Sequence, residues 1–86
     1  MNTTPDLNRI ARLIARNLPK NILNRLCVPL LDERGYMRDL GQVVFETTLA
    51  LQNTRSDKDR RQLREAIIRT AEERGDDELL DAIRGF

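Results

Sequence analysis

Residues 62–83 constrain the fold of this chain more than any other stretch, because they contain a helix, its end and the beginning of the next helix. Apolar and small residues recur there at intervals of three and four, which places them on one side of a helix. Gly75 lies where a left-handed residue ends a helix, and Asp76 or Asp77 can cap the helix that follows. The predicted inward positions are Leu63, Ala66, Ile67, Thr70, Ala71, Leu79, Leu80 and Ile83.

The composition indicates one small globular domain. Of the 86 residues, 40% are hydrophobic and 34% are charged, which is too apolar for a disordered chain and too charged for a membrane protein. No apolar run approaches the roughly 18 residues of a spanning helix, and the N-terminus lacks the pattern of a signal peptide. We therefore expect a single helical domain over residues 1–86 that acts in the cytoplasm without membrane contact.

Residue usage argues against catalysis. The chain has no histidine and a single cysteine, Cys27, so most transition-metal sites and a histidine general base are excluded. Neither a glycine-rich phosphate loop nor a nucleophile elbow is present in the sequence. At its apolar position, Cys27 is expected to be a packed small hydrophobe rather than a nucleophile. We expect no enzyme, no metal, no cofactor and no small-molecule ligand.

Prolines mark the limits of the first two helices. Thr4 as the cap and Pro5 as the first residue predict a helix over residues 5–17. Pro19 then stops this helix and begins a short second helix, which must end or kink before Pro29. The exposed side of the first helix carries arginines, whereas its other side is apolar.

Two capping signals open the longer helices. Asp39 with Gln42 resembles a capping box that starts a third helix, and Ser56 with Asp59 starts a fourth helix over residues 57–74. Together with the C-terminal helix, these elements predict an all-α, compact bundle of five or six short antiparallel helices.

Three apolar side chains lie outside the predicted inward stripe of the third helix. They are Tyr36, Phe45 and Leu49, whereas the stripe itself comprises Leu40, Val43, Val44, Thr47 and Leu51. Such side chains can close a second side of the core or form a surface for a partner. The sequence pattern favours the core.

Charge is distributed unevenly along the chain, although the formal net charge is only +1. A basic surface is predicted on the first helix and the start of the second, formed by Arg9, Arg12, Arg16 and Lys20. An acidic surface is predicted near the C-terminus, formed by Glu72, Glu73, Asp76, Asp77, Glu78 and Asp81. Charge rows of this kind are typical of solvated helix faces, and complementary rows can also dock on each other.

The C-terminal half resembles a known class of domain. FETTLALQ and LREAIIRTAEERGDDELLDAI are similar to the second half of bacterial death-like and effector-associated domains, which belong to the death-fold superfamily. The matching positions are Ala71-Glu72, Gly75 and Asp77-Glu78-Leu79-Leu80. This resemblance implies a non-enzymatic adaptor that binds a like domain, or copies of itself, and brings effectors together.

Three functions remain open at the level of sequence. The first is homotypic association, in which the basic surface of one copy docks on the acidic surface of the next and so forms a heterologous contact. The second is a small helical nucleic-acid-binding regulator, with a further basic cluster of Arg55, Lys58, Arg60, Arg61 and Arg64. The third is an inhibitor that forms a fixed one-to-one complex with an enzyme.

Overall fold

The computed structural model describes residues 6–54 and 56–86, and these ranges form five α-helices. The helices are α1 (Leu7–Asn17), α2 (Lys20–Arg25), α3 (Leu40–Gln52), α4 (Asp57–Arg74) and α5 (Asp77–Ile83). The predicted all-α bundle is therefore confirmed. No helix in the described ranges is both long enough and apolar enough to cross a membrane.

Helix α1 lies at the centre of the bundle. It packs against α2, α3 and α5, while α4 packs against α2 and α5. The predicted stripe of α4 and α5 faces this core, with Ala66 and Leu80 partly exposed and the other members buried. Buried apolar residues are Ile10, Ala11, Leu13, Ile14, Ala15, Ile22, Leu23, Val28, Val43, Leu51, Leu63, Ile67, Ala71, Leu79 and Ile83.

The predicted caps of α3 and α4 are present. The carboxylate of Asp39 accepts a hydrogen bond from the backbone N–H of Gln42 at 3.3 Å. The hydroxyl of Ser56 accepts one from the N–H of Asp59, also at 3.3 Å. Because each cap satisfies an N–H group that has no partner within the helix, these local sequences determine where the helices begin.

Helix α1 begins later than predicted. Asp6 is its N-cap, with extended backbone angles (φ −81°, ψ 90°), and its side chain accepts from the N–H of Arg9 at 3.1 Å. The predicted start at residue 5 is therefore wrong, because a carboxylate at position 6 caps the helix from outside it. The predicted cap Thr4 and first residue Pro5 lie outside the described residues.

Helix α4 ends in a Schellman motif at Gly75. This glycine has a φ of 65°, and its N–H donates to the carbonyl of Glu72 at 3.2 Å. The N–H of Asp76 donates to the carbonyl of Ala71 at 2.9 Å. This pair of bonds is the pattern expected when a left-handed residue follows a helix, as the sequence predicts.

Helix α2 ends in the same motif, but a cysteine takes the place of glycine. Cys27 has a φ of 59°, and its N–H donates to the carbonyl of Asn24 at 3.1 Å. The following N–H, that of Val28, donates to the carbonyl of Leu23 at 2.9 Å. The expectation that Cys27 is packed is wrong, because the reversal turns Val28 into the core and leaves Cys27 exposed.

The expectation that Tyr36, Phe45 and Leu49 belong to the core is also wrong. Their side chains are exposed, by 68%, 61% and 41% respectively. Helix α3 packs chiefly on α1, which buries the side that carries Val43 and Thr47. The predicted inward position of Leu40 is wrong, because this first residue of α3 lines an open groove and is 51% exposed. Phe45 and Leu49 lie on the opposite side of α3, where the described part of the chain places no helix against them.

Candidate interaction surfaces

The predicted basic and acidic surfaces lie side by side in one molecule, because α1 packs against α5. Arg9 Nη1 lies 3.8 Å from Asp81 Oδ2, and Arg16 Nη2 lies 3.4 Å from Glu78 Oε2. These four side chains remain between 45% and 66% exposed. Ion pairs this exposed contribute at most about 1 kcal/mol to stability, and a partner in solution can compete for them.

Asp76 has a structural role at the corner between α4 and α5. Its Oδ1 caps α5 by accepting from the N–H of Leu79 at 3.1 Å, while Oδ2 accepts from the side-chain amide of Asn17. Arg74 donates to the backbone carbonyl of Asn17 beside it. Of the acidic surface, Asp76 is therefore the member most involved in holding α1 against the C-terminal helices.

Several charges of both surfaces are left for other contacts. Four ion pairs occur within the described ranges, and none of them involves Arg12 or Lys20 on the basic side. The same holds on the acidic side for Glu72, Glu73 and Asp77. All five side chains belong to exposed residues.

Exposed apolar side chains are concentrated in one part of the chain. Among the described residues, seven large hydrophobic residues are exposed, and six of them lie between positions 31 and 49. We call these six the apolar set: Leu31, Tyr36, Met37, Leu40, Phe45 and Leu49. Isolated exposed apolar residues are ordinary, but a concentration of them is typical of a surface that contacts another molecule.

A tight turn presents the first half of the apolar set. Leu31 and Met37 form an antiparallel bridge, and Gly35 between them adopts a φ of 85°. The carboxylate of Asp32 accepts from the N–H groups of Arg34 at 2.9 Å and Tyr36 at 3.0 Å. These bonds define the backbone that carries the exposed side chains.

Arg38 joins this turn to α3. Its guanidinium donates to both carboxylate oxygens of Glu46 and, at 2.9 Å, to the carbonyl of Pro29. The hydrogen bond to Glu46 raises the pKa of Arg38 above its usual value. With side-chain exposures of 16% and 33%, this is the least exposed ion pair in the described ranges. Sequence reasoning missed it, because Arg38 precedes the helix that carries Glu46, so helical spacing does not relate the two residues.

A groove of about 520 Å³ runs between α1, the start of α3 and α5. The arginines of α1 and apolar side chains of α3 line it, and the α5 carboxylate that also lines it, Glu78, lies 3.4 Å from Arg16. The residues that matter for its chemistry are Arg9, Arg12, Arg16, Leu40, Val44 and Glu78. Three of the four predicted basic residues thus share one concave surface with exposed apolar area.

The second basic cluster is partly occupied within the molecule. Arg60 donates from Nε to the carbonyl of Phe86 at 2.9 Å, and its guanidinium lies 4.7 Å from the centre of the Phe86 ring. Arg55 lies outside the described residues.

In the described ranges no three His, Cys, Asp or Glu side chains converge as a metal site would require.

Comparison of the chain with protein-family models, with curated proteins and with solved structures found no match. The resemblance to death-like domains therefore rests on the residues of the C-terminal half that were quoted for it.

Proposed function

We propose that this chain is a non-enzymatic adaptor domain of the cytoplasm that associates with copies of itself or with a like helical domain. The observation that carries this proposal is the apolar set of residues 31–49, six large side chains that the fold leaves exposed. Removing apolar area from water stabilises an association by about 25 cal/mol per Å². A partner that covers Phe45 and Leu49, on the side of α3 away from α1, gains this contribution.

Charge supports a directional contact between copies. No ion pair within the described ranges involves Arg12 or Lys20 on the basic side, or Glu72, Glu73 and Asp77 on the acidic side. The acidic surface of one copy can therefore dock on the basic surface of the next. Because the two surfaces differ, the contact is heterologous and can continue from copy to copy to bring effectors together.

The nucleic-acid alternative has less support. A duplex that follows the arginines of α1 meets the carboxylates of Glu78 and Asp81 on the adjacent helix, which repel phosphate. In the second basic cluster, Arg60 already contacts Phe86. Carboxylates thus lie beside the first candidate phosphate surface, and one arginine of the second is engaged within the molecule.

Light scattering after gel filtration tests the proposal. We expect the mass of the wild-type protein to rise above that of one chain as its concentration increases. The mass should fall again when salt is raised from about 0.05 M to about 0.5 M, because the electrostatic screening length then shortens to a few Å. Phe45→Glu should reduce the association, whereas Gln62→Glu, with the same charge change on exposed α4 surface, should not. A wild-type protein that has the mass of one chain under all conditions would show that the chain does not associate with copies of itself.

A further inference from the structure

We propose that the groove between α1, α3 and α5 binds an acidic amphipathic segment of a partner protein. The inference extends the proposed adaptor role and rests on it for the class of ligand, since an adaptor must hold a second protein besides its own copies. The groove supplies two chemical requirements at once, a row of guanidinium groups and an exposed apolar lining.

The arginine row has the spacing of a helix face. Arg9, Arg12 and Arg16 are separated by three and four residues and therefore lie along one side of α1 over about 10 Å, at 1.5 Å rise per residue. Arg9 and Arg16 have only long, exposed contacts to α5, at 3.8 and 3.4 Å. Within the described ranges Arg12, in the middle, has no ion pair. A ligand carboxylate can therefore bind Arg12 directly, whereas at Arg9 and Arg16 it competes with the exposed carboxylates of α5.

The apolar part of the groove comes from the first two turns of α3. Leu40 is 51% exposed and Val44 is half-buried, and both line the groove. Gly41 lies between them without a side chain, and a Cβ built there would meet only the carboxylate of Asp39, at 3.3 Å. The groove is therefore open at Gly41, which leaves room for an apolar side chain of the ligand.

These features distinguish between possible occupants. The acidic surface of a second copy brings carboxylates, but its two leucines are engaged in its own core, since Leu79 is buried and Leu80 packs against the core. A nucleic-acid duplex brings phosphates, but its charged backbone has no apolar side chain to cover Leu40 and Val44. A peptide segment with carboxylates on one side and leucines on the other complements both the arginine row and the apolar lining.

Fluorescence anisotropy with a defined probe tests the inference. The probe is a fluorescein-labelled synthetic helix of twelve residues, with leucine and glutamate at helical spacing. Two matched probes replace all glutamates by lysine or all leucines by serine. We expect saturable binding of the first probe to the full chain, and binding at least tenfold weaker for each matched probe.

Substitutions at Gly41 and Arg12 locate the binding. Gly41→Leu places a large side chain in the groove and should weaken binding at least tenfold, whereas Gly41→Ala adds only the Cβ and should bind nearly as the wild type does. Circular dichroism and Tm are measured for both variants, and we expect both to be folded. Arg12→Glu should also weaken binding at least tenfold, without a change in fold.

Three results would overturn the inference: no binding of the acidic probe, equal binding to the Gly41→Leu variant, or tighter binding of a twenty-base-pair DNA duplex. The outcome is separable from that of the proposed self-association. A protein that binds the probe but has the mass of one chain supports the groove and refutes self-association, and an assembling protein that ignores the probe does the reverse.

Discussion

The side-chain amide of Asn17, at the end of α1, donates a hydrogen bond to the carboxylate of Asp76, at the corner between α4 and α5. The same amide nitrogen also donates to the backbone carbonyl of Leu13, at 2.9 Å. One carboxylate thereby caps α5 and receives the end of α1. This contact helps to hold the basic and acidic surfaces next to each other.

Removing the Asp76 side chain tests this role. Asp76→Ala loses the cap of α5, which costs about 1 kcal/mol, and the bond from Asn17, which costs about 1 kcal/mol more. We expect the free energy of unfolding in urea to fall by about 2 kcal/mol. Asp76→Ser keeps a capping oxygen and should lose about half as much, and an unchanged Asp76→Ala protein would mean that the corner contributes little.

The left-handed cysteine predicts a stabilising substitution. Because Cys27 has a φ of 59°, which costs an L-residue about 1 kcal/mol relative to glycine, Cys27→Gly should raise the free energy of unfolding by about 1 kcal/mol. Cys27→Ala keeps the strain and should be nearly neutral.

The converse substitution can be made at Gly75, which ends α4 as Cys27 ends α2. It has a φ of 65° and no atom within 4 Å of an added Cβ, so Gly75→Ala introduces backbone strain without a clash. We expect the free energy of unfolding to fall by about 1 kcal/mol. Equal effects of opposite sign at positions 27 and 75 would confirm that both helices end by the same mechanism, and a destabilised Cys27→Gly protein would contradict it.

Exposure of the apolar set predicts that its members are dispensable for folding. Phe45→Ser and Tyr36→Ser should change the free energy of unfolding by no more than about 0.5 kcal/mol, since the side chains are 61% and 68% exposed. Ile67→Ala, at a fully buried site of α4, should instead cost about 3 kcal/mol. Chemical denaturation at low protein concentration checks both, and a loss above about 2 kcal/mol for Phe45→Ser would place this side chain in the folding core.

Charge exchange tests the docking of copies. Arg12→Glu and Glu73→Arg should each reduce the mass measured by light scattering, because like charges then face each other across the contact. A mixture of the two variants should assemble again if the copies alternate. One contact then pairs the native Arg12 with the native Glu73, and the next pairs the two substituted residues, which also have opposite charges. If Arg12→Glu alone leaves the mass unchanged, the basic surface takes no part in self-association.

Helix limits were predictable because their causes are local. The range of α4, the caps at Asp39 and Ser56, and the left-handed Gly75 all depend on residues within one or two turns of each other. The inward stripe of α4 and α5 was predictable for a similar reason, since periodicity alone places those side chains on one side of a helix. Even so, the cap at Asp6 and the reversal at Cys27 differed from expectation, because alternative end geometries compete within a few residues.

The sequence by itself determined that this chain is all-helical, where α4 begins and ends, and which charges are clustered. Tertiary structure decided what those features face. Packing of α1 on α5 placed the basic and acidic surfaces side by side, and packing of α3 on α1 left Phe45 and Leu49 exposed. The pair of Arg38 and Glu46 likewise depends on how a turn folds onto a helix. The physical reason is that capping and periodicity act over a few residues, whereas exposure depends on which helix faces find a neighbour.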